Sequence, residues 1–149
     1  MKKITLLLLL IPTLGISQIK VVDKEKTEKV GRIAALGLLH IELIKSGDYY
    51  TFTYKDLKFQ HIDEFKSFTF KNENNDIDNL YKIIKNGLKD MPEEDITIAL
   101  PEGELQLDFT KALGIVNVRF VHSSSAGNVG ISTWLSKRKV DKLFGKKKK

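Results

Sequence analysis

The sequence contains no cysteine, and this absence excludes several classes of protein. Without a thiol among its 149 residues, the chain forms no disulfide, no thiolate metal site and no cysteine-based active site. Attachment of a lipid to a cysteine is excluded for the same reason. The fold must therefore be stabilised by the burial of apolar side chains and by backbone hydrogen bonds.

The sequence also has few of the groups on which most enzymes depend. It has three histidines, and it lacks a glycine-rich phosphate loop, a His-Glu-x-x-His metal motif and a Gly-x-Ser-x-Gly nucleophile elbow. A nucleic-acid recognition motif is missing as well. These absences favour a non-enzymatic protein, with no bound cofactor and no nucleic-acid partner.

A long apolar run is present at the N-terminus. Lys2 and Lys3 precede the run Ile4–Ile16, and the small residue Ser17 is followed by Gln18. A positive start, a short apolar segment and small residues at its end are typical of a secretory signal peptide, here cleaved between Ser17 and Gln18. The alternative, a membrane anchor, needs about 20 apolar residues. We therefore expect an exported protein, periplasmic or extracellular, that is not integral to the membrane once processed.

The remaining residues divide into three regions by charge and hydropathy. Residues 18–32 mix both signs of charge without a clear apolar period, which predicts a flexible lead-in. Residues 33–145 are long enough for a single domain with one core. Residues 146–149 are all lysine and predict a disordered basic tail in a chain of formal net charge +6.

Alternation of apolar and polar residues predicts that much of the domain is antiparallel sheet. The longest alternating segment is 95–123, in which three runs separated by short turns predict a meander. Residues 38–45 and 48–56 predict a hairpin around a glycine-containing turn. Shorter alternating segments at 67–71 and 129–133 predict two further strands.

Two segments instead have the period of an amphipathic helix. The first follows Asn75 or Asp76 as its cap and ends near Gly87 or at Met91-Pro92. Its apolar residues share one face: Ile77, Leu80, Tyr81, Ile84 and Leu88. The second follows Ser136 and buries Val140, Leu143 and Phe144.

Together these elements predict an α+β domain in the order βββα-ββββα. We expect one antiparallel sheet of about seven strands, flat or strongly curved, with both helices packed on one face. Two separate sheets are the main alternative.

Four residues could in principle carry chemistry. His40 and Glu42 point to the same side of a predicted strand, and with His61 they could contribute to a divalent metal site. Such sites need three or four convergent ligands, so we expect none. His122 precedes Ser123–Ser125, which suggests a serine nucleophile only if the geometry of a triad is present. These residues support the alternative of a small hydrolase or metal-dependent enzyme.

Three basic residues are candidates for binding. Arg119 lies on the polar side of a predicted strand, and Lys137 and Arg138 begin the basic C-terminal region. Such a region attracts anionic lipid or polysaccharide through charge that salt screens. We therefore expect an exported, non-enzymatic domain that binds a partner protein or an envelope component. An inhibitor or immunity-type protein of a secreted enzyme is a further alternative.

Overall fold

A computed structural model of the chain describes residues 26–59 and 61–146. The predicted signal peptide with Ser17 and Gln18, the lead-in before residue 26 and the last three lysines lie outside the described residues. In chain order the elements are β1 (Thr27–Ala35), β2 (Leu38–Ser46), β3 (Tyr49–Lys55), β4 (Phe65–Lys71), α1 (Asp76–Asp90), β5 (Ile96–Leu100), β6 (Gly103–Ala112), β7 (Ile115–Ser124), β8 (Val129–Ile131), β9 (Leu135–Ser136) and α2 (Lys137–Leu143).

The strands form two antiparallel sheets. The first has the order β1-β2-β3-β4, and the second has the order β5-β6-β7-β8 with β9 paired to β7. This confirms the α+β class and the alternating strands, but the predicted single sheet of about seven strands is wrong. The helix α1 separates β4 from β5 in the chain, and alternation alone does not reveal whether strands on either side of a helix pair or pack face to face.

The strand β1 begins inside the predicted lead-in. It pairs with β2 from Thr27 opposite Ser46 to Ala35 opposite Leu38, with register shifts between Lys29 and Gly31 and again between Ile33 and Ala34. The shifts interrupt the period of two, and Ile33 is the one buried side chain of the strand. The sequence pattern of this strand was therefore too weak to predict it.

The two sheets pack face to face through aromatic side chains. The ring of Phe52 in β3 lies 5.6 Å from that of Phe120 in β7, edge to face, and the ring of Phe68 in β4 lies 6.2 Å from Phe120. Phe52 and Phe120 are fully buried. Truncating a buried phenylalanine costs about 3–5 kcal/mol, so this contact holds the sandwich together.

The helix α1 buries the predicted face, with Ile77, Leu80, Ile84 and Leu88 in the core. Its ends differ from the prediction. The side chain of Asn72, rather than that of Asn75 or Asp76, accepts the free N–H of Ile77 at 3.0 Å. Gly87 lies within the helix, where the ring of Phe109 occupies the space that a Cβ would need.

The helix α2 packs on the inner face of the first sheet, where the ring of Phe144 lies 5.6 Å from that of Phe52. Its last residues lie so close to Gly31 of β1 that a Cβ there would overlap the carbonyl of Leu143. Asp141 of α2 accepts hydrogen bonds from Tyr81 and Lys85 of α1, which links the two helices. Lys146, the first residue of the predicted tail, lies 2.8 Å from a carboxylate oxygen of Asp78 in α1.

Within the described ranges no helix is long and apolar enough to cross a membrane.

Candidate functional site

The four sheet edges are not equally protected. The strand β1 contacts α2 through its inner face, at Gly31. The edge of β8 meets the chain that follows β3, where the N–H of Leu57 donates to the carbonyl of Ile131 at 2.9 Å. The strands β4 and β5 each pair on one side only among the described residues. Their free edges flank a cleft, and unpaired strand edges offer N–H and C=O groups to a further strand.

This β4–β5 cleft is widest beside α1, whose residues Asn79, Leu80 and Ile83 line it. The chamber there has a volume of about 440 Å³, within the range of small-molecule sites in proteins. Buried Phe70, Leu80 and Leu105 form its floor, and Ile98 and Leu100 of β5 form a partly exposed wall. The chamber is therefore apolar at its base and open at its rim.

Two smaller chambers continue the cleft along β4. The middle chamber has a volume of about 80 Å³ and shares Leu100 with the apolar chamber. The outer chamber has a volume of about 320 Å³ and shares Ser67, His122 and Ser124 with the middle one. Every residue from Lys66 to Lys71 lines at least one chamber, so the cleft follows the whole of β4.

The charges that line the β4–β5 cleft are mostly negative. Two lysines, Lys66 and Lys71, face four carboxylates: Glu64, Glu73, Asp76 and Glu102. The formal charge of the lining is therefore −2, whereas the whole chain carries +6. Both ammonium groups already contact carboxylates, since Lys71 lies 2.9 Å from Glu73 and Lys66 lies 2.9 Å from Asp56.

A buried acid lies behind the outer chamber. Asp56 is fully buried, and its Oδ1 accepts the backbone N–H groups of Ile131 and Lys58 while Oδ2 faces the ammonium group of Lys66. Burial by itself would raise the pKa of this carboxyl. The Lys66 ammonium group and the two backbone donors outweigh burial and hold the pKa below its ordinary value.

His122 lies beside Tyr54, and the contact between them bears on which ring nitrogen carries the proton. The two side chains are buried, with the tyrosine hydroxyl 3.3 Å from Nδ1 of the imidazole. Burial, reinforced by the charge of Asp56, raises the pKa of the phenol, which stays protonated. Burial and the nearby Lys66 cation lower the pKa of His122. Because a buried hydroxyl needs an acceptor, we infer that Tyr54 donates to Nδ1 and that the neutral ring carries its proton on Nε2.

The structure separates the other histidines from this cluster. His40 and Glu42 lie on the outer face of the first sheet, opposite buried Ile41 and Leu43. His61 is exposed in the connection before β4. Residues 26–59 and 61–146 bring no three histidine, aspartate or glutamate side chains together as a metal site.

The basic candidates lie outside the β4–β5 cleft. Arg119 makes an ion pair with Asp108 at 2.6 Å, and its guanidinium group stacks over the ring of Trp134 at 4.5 Å from the centroid. Lys137 and Arg138 are exposed in the first turn of α2. Arg119 is therefore held by its neighbours, whereas Lys137 and Arg138 are open to solvent.

The sequence did not identify Asp56 or Lys66. It also did not identify the acidic rim of the cleft, which is formed by Glu64, Glu73, Asp76 and Glu102. One signal was available, because Asp56 continues the alternation of buried Phe52 and Tyr54 and therefore lies on the inner face of the first sheet. An acid on an apolar face predicts a partner cation. The partner, Lys66, lies on the next strand, and the spacing of residues in the sequence does not reveal that pairing.

No family model, no curated protein and no solved structure matches this chain. The fold and the cleft therefore define its class by themselves. It is an α+β domain of two packed antiparallel sheets, with two free strand edges on either side of an apolar cleft.

Proposed function

We propose that the protein is an exported, non-enzymatic domain that binds a partner protein through the β4–β5 cleft. The observation that carries the proposal is the pair of free strand edges on either side of an apolar chamber. The edge of β8, in contrast, is met by the chain that follows β3, where Leu57 donates to Ile131. The signal-peptide pattern that ends at Ser17 supports export.

A small hydrolase is the second candidate, because His122, Ser67 and Ser124 line the same chamber. The proton positions argue against it. A histidine that activates a serine needs a free Nε2 and a proton on Nδ1, held by an acidic group. The inferred donation from Tyr54 to Nδ1 places the proton on Nε2, and a protonated Nε2 is not a base for either hydroxyl.

Binding of anionic lipid or polysaccharide is a third candidate, supported by the exposed side chains of Lys137 and Arg138. Attraction of this kind is screened within about 10 Å at 0.1 M salt. Release of the bound material by moderate salt would favour this candidate, whereas retention favours the apolar chamber of the cleft.

The proposal is tested by a matched pair of variants. Ala99 is exposed on β5 and lines the apolar chamber, and Ala112 is exposed at the end of β6 away from the cleft. In affinity capture from an envelope extract, we expect Ala99→Lys to lose a specific partner that the wild type and Ala112→Lys retain. Capture of the same partner by all three proteins would refute binding through the cleft.

A further inference from the structure

We infer that the cleft binds an extended, basic peptide segment of the partner, which pairs with the free edge of β4 as an additional strand of the first sheet. This inference rests on the proposed function and names the chemistry of the partner. It combines three features of the cleft: its course along β4, its apolar chamber and its acidic rim.

The course of the cleft identifies β4 as the strand that pairs. Residues Lys66–Lys71 line the three chambers in succession, whereas β5 contributes Ile98–Leu100 to the apolar chamber and Leu100 to the middle one. The ladder with β3 uses one side of β4, so alternate residues direct N–H and C=O groups toward the cleft. An added strand satisfies those groups, and a bound helix does not.

The length of the cleft sets the size of the peptide. From Glu64, just before β4, to Lys71 the backbone extends about 23 Å, in seven steps of about 3.3 Å. A peptide of about eight residues therefore spans it. Since side chains alternate along a strand, every second residue of the peptide faces the chambers, and the end near Phe70 and Leu100 takes an apolar side chain.

The charge of the rim selects basic side chains. The lining has a formal charge of −2, and Glu102 is exposed beside the middle chamber with no ion pair among the described residues. A second copy that pairs through its own β4 is a poor occupant, because it brings the same acids and the same lysines to the edge. Lysine or arginine in a partner segment complements this rim.

Selection from a library of random 12-residue peptides tests the inference with the full chain as bait. We expect the wild type and Ala112→Lys to enrich peptides in which apolar residues alternate with lysine or arginine, and Ala99→Lys to enrich none of them. Hydrogen exchange should show that a selected peptide protects backbone amides of β4. Circular dichroism and thermal melts of each variant confirm that it is folded.

A second pair of variants tests the charge of the rim. Glu102→Lys reverses a charge in the cleft, and Glu104→Lys reverses the same charge on an exposed residue outside its lining. We expect Glu102→Lys to weaken binding of a selected peptide about tenfold at low salt and Glu104→Lys to leave it within about twofold.

The outcomes distinguish the inference from the proposed function. Enrichment of acidic or helix-forming peptides by the wild type but not by Ala99→Lys would overturn the inference and leave binding through the cleft intact. Protection away from β4, or equal effects of Glu102→Lys and Glu104→Lys, would overturn it as well. Failure to enrich any peptide beyond the Ala99→Lys background would contradict both.

Discussion

Replacing Asp56 with asparagine should destabilise the protein by about 3 kcal/mol. The carboxylate is fully buried and lies 2.9 Å from the ammonium group of Lys66. Asparagine retains an acceptor for the N–H groups of Ile131 and Lys58, but it leaves the lysine without its counter-charge. Removing one partner of a buried ion pair costs about 3–5 kcal/mol. The lower value applies because the Lys66 side chain is 22% exposed and water still reaches it.

The effect of Asp56→Asn should also depend on pH. The pKa of Asp56 is lowered on folding, so its ionised form stabilises the folded state above the unfolded-state value of about 4. That contribution is lost as the pH falls through the lower pKa of the folded state. The wild type and the variant should therefore differ most at pH 7 and converge toward pH 2.

Urea denaturation between pH 7 and pH 2 measures both effects. The matched control is Asp63→Asn, which removes an ion pair with Lys55 in which the aspartate is 59% exposed. Exposed pairs contribute about 0–1 kcal/mol, so this variant should change the free energy of unfolding little. A loss below about 1 kcal/mol for Asp56→Asn at pH 7, or a loss that does not change with pH, would refute this explanation.

Two further predictions concern the core. Gly87→Ala should destabilise the protein by about 1–2 kcal/mol in urea denaturation, because overlap with Phe109 outweighs the gain in helix propensity. Asn86→Ala on the exposed side of the same helix should not destabilise it, and equal stability of the two variants would contradict the packing. Long-range ¹⁵N correlation spectra of His122 should show protonated Nε2 and unprotonated Nδ1, with titration below pH 6.5. A proton on Nδ1 would contradict the bond donated by Tyr54.

Local patterns were sufficient to predict α1 and the meander. Ile77, Leu80, Ile84 and Leu88 recur at helical spacing, and all four are buried. The strands of the meander alternate cleanly, with Leu105, Leu107, Val118 and Phe120 on the inner face. In these elements one period determines both the secondary structure and the buried face.

The arrangement of the sheets could not be predicted in the same way. Alternation shows which face of each strand is buried. It does not show which strand before α1 lies next to which strand after α1. The free edges of β4 and β5, and the cleft between them, depend on that long-range arrangement. The pairing of Asp56 with Lys66 and of Tyr54 with His122 depends on it too, because the second pair is separated by 68 positions in the chain.

Photo-cross-linking in the cell envelope tests the role of the cleft most directly. A photoreactive phenylalanine at position 99 lies on the edge strand β5 beside the apolar chamber, and the same residue at position 112 lies outside the cleft. The structure predicts one discrete adduct with a partner protein from position 99 and none from position 112. The same adducts from both positions, or no adduct from position 99, would contradict the assignment of the β4–β5 cleft as the binding site.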